Sequence, residues 1–233
     1  MPCRVLLADA DGTLFDFHRG EAVAISETFR RFGIADTPEN LAVYSRVNHA
    51  QWLRLERGET TQERLRVERF EDFLRETGLA GDARALCDCF VALLGQQRYT
   101  LPGAEMFCRR VSARMPIYLV TNGIPEIQRS RFGSCALTPY LSGLVISGEV
   151  GHAKPHPAMI FRALELSGCA PGEAVVMGDS VTADIAAANA AGVRSILFTN
   201  GEEPPSDHGA IHVARTYGEA LDILFGEEGG TPV

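Results

Sequence analysis

The chain has 233 residues, 45% of them hydrophobic and 22% charged, which is the make-up of a folded globular protein and excludes disorder as its main state. Acidic residues outnumber basic ones by 30 to 22, for a net charge of −8, which argues against a nucleic-acid polymer or an anionic membrane as the main partner. The basic set is 21 arginines and a single lysine, Lys154.

At the N-terminus the apolar run Val5 to Ala8 has the length of a buried strand and is cut by Asp9 and Asp11, far short of a signal peptide or membrane span. This points to a soluble, cytoplasmic protein. The strand ends in Asp9-Ala10-Asp11-Gly12-Thr13, where a turn at Gly12 lets two carboxylates share one site; a polar loop with Asx turns is the plainer alternative. From Leu14 to about Tyr99 no further strand is expected. Helical patterns run over Glu21 to Phe32, Pro38 to Arg57, Thr61 to Thr77 and Asp82 to Arg98, enough for a small antiparallel bundle.

Beyond residue 100 the pattern alternates. Strands are expected at Ile117 to Val120, Leu144 to Ile146, Ala174 to Met177 and Ser195 to Phe198, with helices at Gly103 to Met115, Pro157 to Ser167 and Thr182 to Ala191. Such alternation predicts an α/β fold, a doubly wound, mostly parallel sheet, with residues 1–15 and 100–233 forming one domain and 16–99 an inserted helical domain. Glu202 to Pro205 reads as a loop and Glu227 to Val233 as a frayed tail. The six cysteines form no CxxC pair and read as reduced core residues.

Ligands of open α/β sheets bind at the C-terminal strand ends, and polar groups gather there. Thr121-Asn122-Gly123 follows one strand and would pass as an ordinary turn. Lys154-Pro155 would pass as an exposed lysine before a proline. Gly178-Asp179-Ser180-Val181-Thr182-Ala183-Asp184 follows another strand, and Asp179 or Ser180 alone could be a helix cap.

Taken in order, DxDGT, TNG, KP and GDxxxxD resemble the haloacid dehalogenase superfamily over essentially the whole chain, and the helical insertion is similar to that family's type 1 cap. The resemblance implies a phosphomonoester hydrolase in which Asp9 is the nucleophile, Asp11 the general acid and base, and Thr121, Asn122 and Lys154 hold the phosphoryl group. It implies Mg2+ as cofactor, bound by Asp9, Asp179 and the backbone carbonyl of Asp11, with Asp184 behind it supporting its water shell or Lys154. The family's dehalogenases lack an aspartate at the position of Asp11, so phosphate transfer is favoured over dehalogenation, and a phosphomutase stays open.

Within the insertion, Val47 to Trp52, Arg57 to Thr61 and Arg69-Phe70 resemble the pyrimidine 5'-nucleotidase branch. That resemblance implies a nucleoside monophosphate as the small-molecule partner of a monomer or homodimer, with Phe15, Phe17 and Trp52 offering stacking surfaces and Asn48 a base-edge contact. A core position between the helices of the bundle is the favoured reading of Trp52, and Asn48 reads equally as a surface residue; His18 and Arg19 could face the cleft or only shape it. A phosphorylated sugar or acid such as phosphoglycolate, or a non-catalytic phospho-ligand-binding role, are the competing readings.

Overall fold

A computed structural model describes residues 3–226; the expected tail at 227–233 lies outside them. In chain order its elements are β1 (Val5–Ala8), α1 (Phe17–Arg31), α2 (Pro38–Glu56), α3 (Gln62–Thr77), α4 (Ala83–Leu94), α5 (Ala104–Ser112), β2 (Ile117–Thr121) and α6 (Pro125–Phe132). They continue with β3 (Gly143–Ile146), α7 (Ser147–Val150), α8 (Ala158–Ser167), β4 (Ala174–Gly178), a π-helical turn at Val181–Ile185, α9 (Ala186–Ala190), β5 (Arg194–Phe198), β6 (His212–Ala214) and α10 (Tyr217–Phe225).

Two compact units result. Among the described residues, one takes the chain up to Phe17, Tyr99–Gly123 and the stretch from Phe132 to Gly226; the other takes His18–Arg98 and Ile124–Arg131. Thus most of α6, which falls inside the span 100–233 expected for the α/β domain, groups with the helical unit. Among the described residues no helix is long and apolar enough to cross a membrane.

In the first unit the six described strands form one sheet in the order β3-β2-β1-β4-β5-β6, every neighbouring pair parallel. The side chains of β1 alternate between two apolar clusters: Leu6 and Ala8 join one, with Met177, Ile196 and Phe198, while Val5 and Leu7 join the other, with Val120, Met159 and Val176. Burial on both faces is why these strands are continuous apolar runs. The order reverses direction between β1 and β4, since β2 and β3 extend one way and β5 and β6 the other, and at such a switch the strand ends leave a crevice.

The helical unit is started by local chemistry. Thr37, Thr61 and Asp82 cap α2, α3 and α4 by accepting backbone N–H bonds from Asn40, Arg64, and Arg84 with Ala85. Its interior is aromatic: Phe29 stacks on Phe73 at 4.8 Å, and Tyr44 lies 5.6 Å from Phe70 and 5.8 Å from Phe90.

Candidate active site

Register sets the site. Ala8, the last residue of β1, pairs with Leu119 on one side and Met177 on the other, so Asp9, held by its N–H to the Met177 carbonyl at 2.8 Å, emerges beside the ends of both neighbouring strands. Lys154 reaches the same point from the loop after α7 and is only 2% exposed. Its ammonium donates to Asp9 Oδ1 at 2.5 Å, to Asp184 Oδ1 at 2.6 Å and to the Val120 carbonyl at 2.6 Å, so all three N–H bonds have acceptors. The plainer reading of Lys154 as an exposed residue fails on this burial.

Asn122 holds the lysine's backbone. Its Oδ1 accepts from the Lys154 N–H at 2.8 Å and its Nδ2 donates to the Lys154 carbonyl at 2.9 Å, a two-point clamp between the loop after β2 and the loop after α7. Thr121 is buried at the end of β2, and its hydroxyl accepts from the Gly123 N–H at 3.0 Å. Asp184 sits in the π-helical turn, and its Oδ2 accepts from the Ser180 N–H at 3.0 Å. Ser180 does cap this turn, accepting from the Ala183 N–H at 3.1 Å.

Asp179 follows β4 directly and packs against Gly12, at φ +87°; a Cβ at position 12 would collide with its carboxylate. Gly178 has the same relation to Asp184, where a Cβ would fall on the carboxyl carbon. Gly12 serves both close approach and a left-handed turn, whereas Gly178, at the end of β4, serves close approach alone. Thr13 donates its hydroxyl to Asp179 Oδ1 at 3.0 Å. Asp11, half-buried, lies two residues after Asp9 in a tight loop closed by Leu14 N–H and Phe15 N–H bonds to the Ala10 carbonyl.

Asp9, Asp179 and Asp184 each bring one carboxylate oxygen into a group spanning no more than 4.8 Å. Three carboxylates against one ammonium leave an excess of negative charge, and the donor set is all oxygen, which suits a hard divalent cation. The electrostatics agree. Burial, only partly offset by Lys154 and reinforced by Asp184 and Asp179, pushes the Asp9 carboxyl well above the ordinary range. Burial would lower Lys154, but the charges of Asp184 and Asp9 reverse this and hold it above its usual value. Asp179 reaches solvent, yet the protein crowding it and the Asp184 charge raise its carboxyl to about 6. A site in this state favours taking up positive charge, and the residues fit a cation.

The side chains expected to meet a base are placed differently. Phe15 is 1% exposed and belongs to the core beneath the sheet, so it offers no stacking face. Phe17 is half-buried at the start of α1, and His18 and Arg19 are exposed. Asn48 is neither on the surface nor open to a base edge: buried in the bundle, it donates Nδ2 to Glu21 at 2.8 Å and accepts at Oδ1 from Arg69 at 3.1 Å. Trp52 is half-buried. Three of the six cysteines, Cys87, Cys108 and Cys135, are buried, while Cys3, Cys89 and Cys169 are half-buried and not full core residues. The Val120 carbonyl carries no sequence signal, because any residue supplies one; the Asn122 clamp could have been sought in the amide side chain of the TNG turn.

The haloacid dehalogenase-like hydrolase family matches residues 3–192. Pyrimidine 5'-nucleotidase PynA of Streptococcus pneumoniae is 31% identical over 198 residues, covering 84% of this chain and 83% of its own. A phosphoserine phosphatase of Thermus thermophilus is 38% identical over a shorter stretch of 138 residues, 58% of this chain and 55% of its own. Among solved structures, the HAD-hydrolase YfnB of Bacillus subtilis, bound to magnesium, superposes with a TM-score of 0.89 at 26% identity, covering 96% of this chain and 99% of that one. With the ordered motifs, the switch-point site and a match over most of its length, the chain belongs to the haloacid dehalogenase-like hydrolases.

Proposed function

We propose that the protein is a Mg2+-dependent phosphomonoesterase acting through Asp9, and that its substrates are pyrimidine nucleoside monophosphates. One observation carries the chemistry: the Lys154 ammonium is wedged against Asp9 at the end of β1, with Asp11 two residues along the same loop and two further carboxylates at hand.

A carboxylate oxygen of Asp9 attacks phosphorus in line, and the ester P–O bond breaks as Asp11 delivers a proton to the departing oxygen. The acyl phosphate on Asp9 divides one difficult displacement into two easier ones. Asp11, now a carboxylate, takes a proton from a water whose oxygen attacks phosphorus; the bond to Asp9 breaks, phosphate leaves, and Asp11 is again an acid. Lys154 keeps the anionic nucleophile and the anionic substrate from repelling each other. Thr121 and the Asn122 N–H hold phosphoryl oxygens, and the Asn122 side chain keeps Lys154 in register. Asp9, Asp179 and the Asp11 carbonyl hold the Mg2+, with Asp184 behind them on Lys154; when bound, the ion neutralises charge on the phosphoryl oxygens. Specificity lies in the helical unit.

The nucleotide reading rests on the likeness to PynA over most of both chains and on the sequence of the helical unit. The higher identity to a phosphoserine phosphatase over a shorter span favours a small phosphorylated acid as the second reading. Two assays separate these claims. Hydrolysis of p-nitrophenyl phosphate should require Mg2+ and vanish in Asp9→Asn; metal-independent turnover, or full activity in that variant, would sink the mechanism. In a panel of UMP, dTMP, phosphoserine and phosphoglycolate, faster turnover of either acid than of both nucleotides would overturn the nucleotidase assignment.

A further inference from the structure

Three aromatic rings of the α/β unit form one continuous stack. Tyr217, the first residue of α10, lies 4.9 Å from Phe107 of α5 at an interplanar angle of 29° and 4.7 Å from Phe198 of β5 at 21°. Both phenylalanines are 1% exposed. On another side, Gly103 leaves so little room that a Cβ there would stand 3.2 Å from the Tyr217 ring. Such packing leaves the ring few orientations, and the hydroxyl at its tip is aimed.

It is aimed at the DxDGT loop. Tyr217 Oη donates to the Thr13 carbonyl at 2.7 Å, and the Thr13 hydroxyl donates to Asp179 Oδ1 at 3.0 Å. Burial pushes the phenol well above its ordinary pKa, so the O–H is retained, and a carbonyl can only accept; the polarity of the first link is fixed. Thr13 is fully buried, and Asp179 packs against the neighbouring Gly12. The rings therefore hold the hydroxyl, the hydroxyl holds the peptide of Thr13, and the Thr13 side chain holds one oxygen of Asp179. Tyr217 lies 25 residues beyond the span 3–192 that matches the family.

We propose that Tyr217 is a positioning residue of the acidic site, fixing the Thr13 peptide so that its hydroxyl orients the Asp179 carboxylate for a bound divalent cation. This rests on the reading of Asp9 and Asp179 as the cation's ligands. A group that orients a metal ligand is worth about 10- to 100-fold in metal affinity. Tyr217 stands one hydrogen bond further out, and a single such bond corresponds to roughly 3- to 10-fold.

The test is Mg2+ binding to the full chain by calorimetry, beside thermal unfolding of the metal-free protein. Tyr217→Phe keeps the ring stack and removes only the hydroxyl; it should weaken Mg2+ binding roughly 3- to 10-fold. Thr13→Val should weaken it about 10- to 100-fold, while Thr13→Ser, which keeps the hydroxyl, stays close to wild type. Because Tyr217 acts through Thr13, the double variant Tyr217→Phe/Thr13→Val should bind no more weakly than Thr13→Val alone. A merely structural tyrosine would lower the unfolding temperature and leave the Mg2+ affinity where it was. The proposal is overturned if Tyr217→Phe binds Mg2+ as wild type does while Asp179→Asn does not, or if the two losses add in full. If wild type binds no Mg2+, or Asp179→Asn binds it unimpaired, the ligand assignment itself fails and the proposal with it.

Discussion

Lys154 shows how much one residue type can carry. Its ammonium has three donors and meets three acceptors, Asp9, Asp184 and the Val120 carbonyl, within 2.6 Å, and is almost wholly buried. A guanidinium has more donors, but they are coplanar and spread over a larger group. We expect Lys154→Arg to remain folded by circular dichroism and to lose about 100-fold or more in kcat on an aryl phosphate, the usual scale for losing one preorganised donor at a developing charge. A near-wild-type rate would show that charge alone suffices there. Lys154→Met leaves two carboxylates buried without their cation and should cost about 3–5 kcal/mol of stability in urea unfolding. The single lysine was visible in the composition, and its motif gave it a role. Its burial and the Val120 bond were not, since both depend on how β2 ends beside β1.

At the scale of elements, five strands and the four helices of the insertion are where the apolar periodicity puts them, with ends shifted by a few residues. Central strands such as β1 and β4 are easy to read because both faces are buried and every position is apolar. β6 escapes such a reading: it is three residues long, begins with the exposed His212, and pairs only with β5. The expected helix from Thr182 begins instead as a π turn, which places Asp184 against both Gly178 and Lys154; periodicity alone does not foresee an extra residue per turn.

The bundle interior also resists sequence reading, because polar residues sit inside it. Asn48→Ala removes the acceptor that Arg69 uses in the helical unit and should lower stability by about 1–3 kcal/mol, with little change in KM. A raised KM at unchanged melting temperature would return Asn48 to the role of a base contact. At the surface, Asp82→Ala should cost about 1 kcal/mol by removing the cap on α4, read from the denaturant midpoint.

For the molecule as a whole, burial sorts its thiols. Cys108 is fully buried between α5 and the sheet, and desolvation pushes its pKa from 9.0 to about 12. Its contribution to stability is therefore complete below about pH 9, where the unfolded thiol is still protonated, and is lost as the pH rises toward 12, because the unfolded chain then releases a proton that the folded one keeps. Iodoacetamide at pH 8 followed by peptide mass spectrometry should modify Cys3, Cys89 and Cys169 and spare Cys108 until the protein is unfolded; early labelling of Cys108 would contradict the packing.

The α/β alternation through β5 and the presence of a helical insertion were legible, because each depends on local pattern. What joins distant parts was not. The insertion leaves and returns through a narrow ribbon, in which Asp16 N–H bonds to the Tyr99 carbonyl at 3.1 Å and Leu101 N–H to the Leu14 carbonyl at 3.0 Å. No residue type announces such a seam.

That seam bears on synthesis. Asp9 is made before the insertion, whereas Lys154 follows the insertion and two further strands, and Asp179 and Asp184 come only after a third. A nascent chain stalled before β4 carries Asp9 and Lys154 without the other two carboxylates. Phosphatase activity in a translation run would thus appear late, once the polypeptide has passed not only Asp184 but the core residues Ile196, Phe198, Ala214 and Leu221 that follow it, and so mark the moment when the core closes.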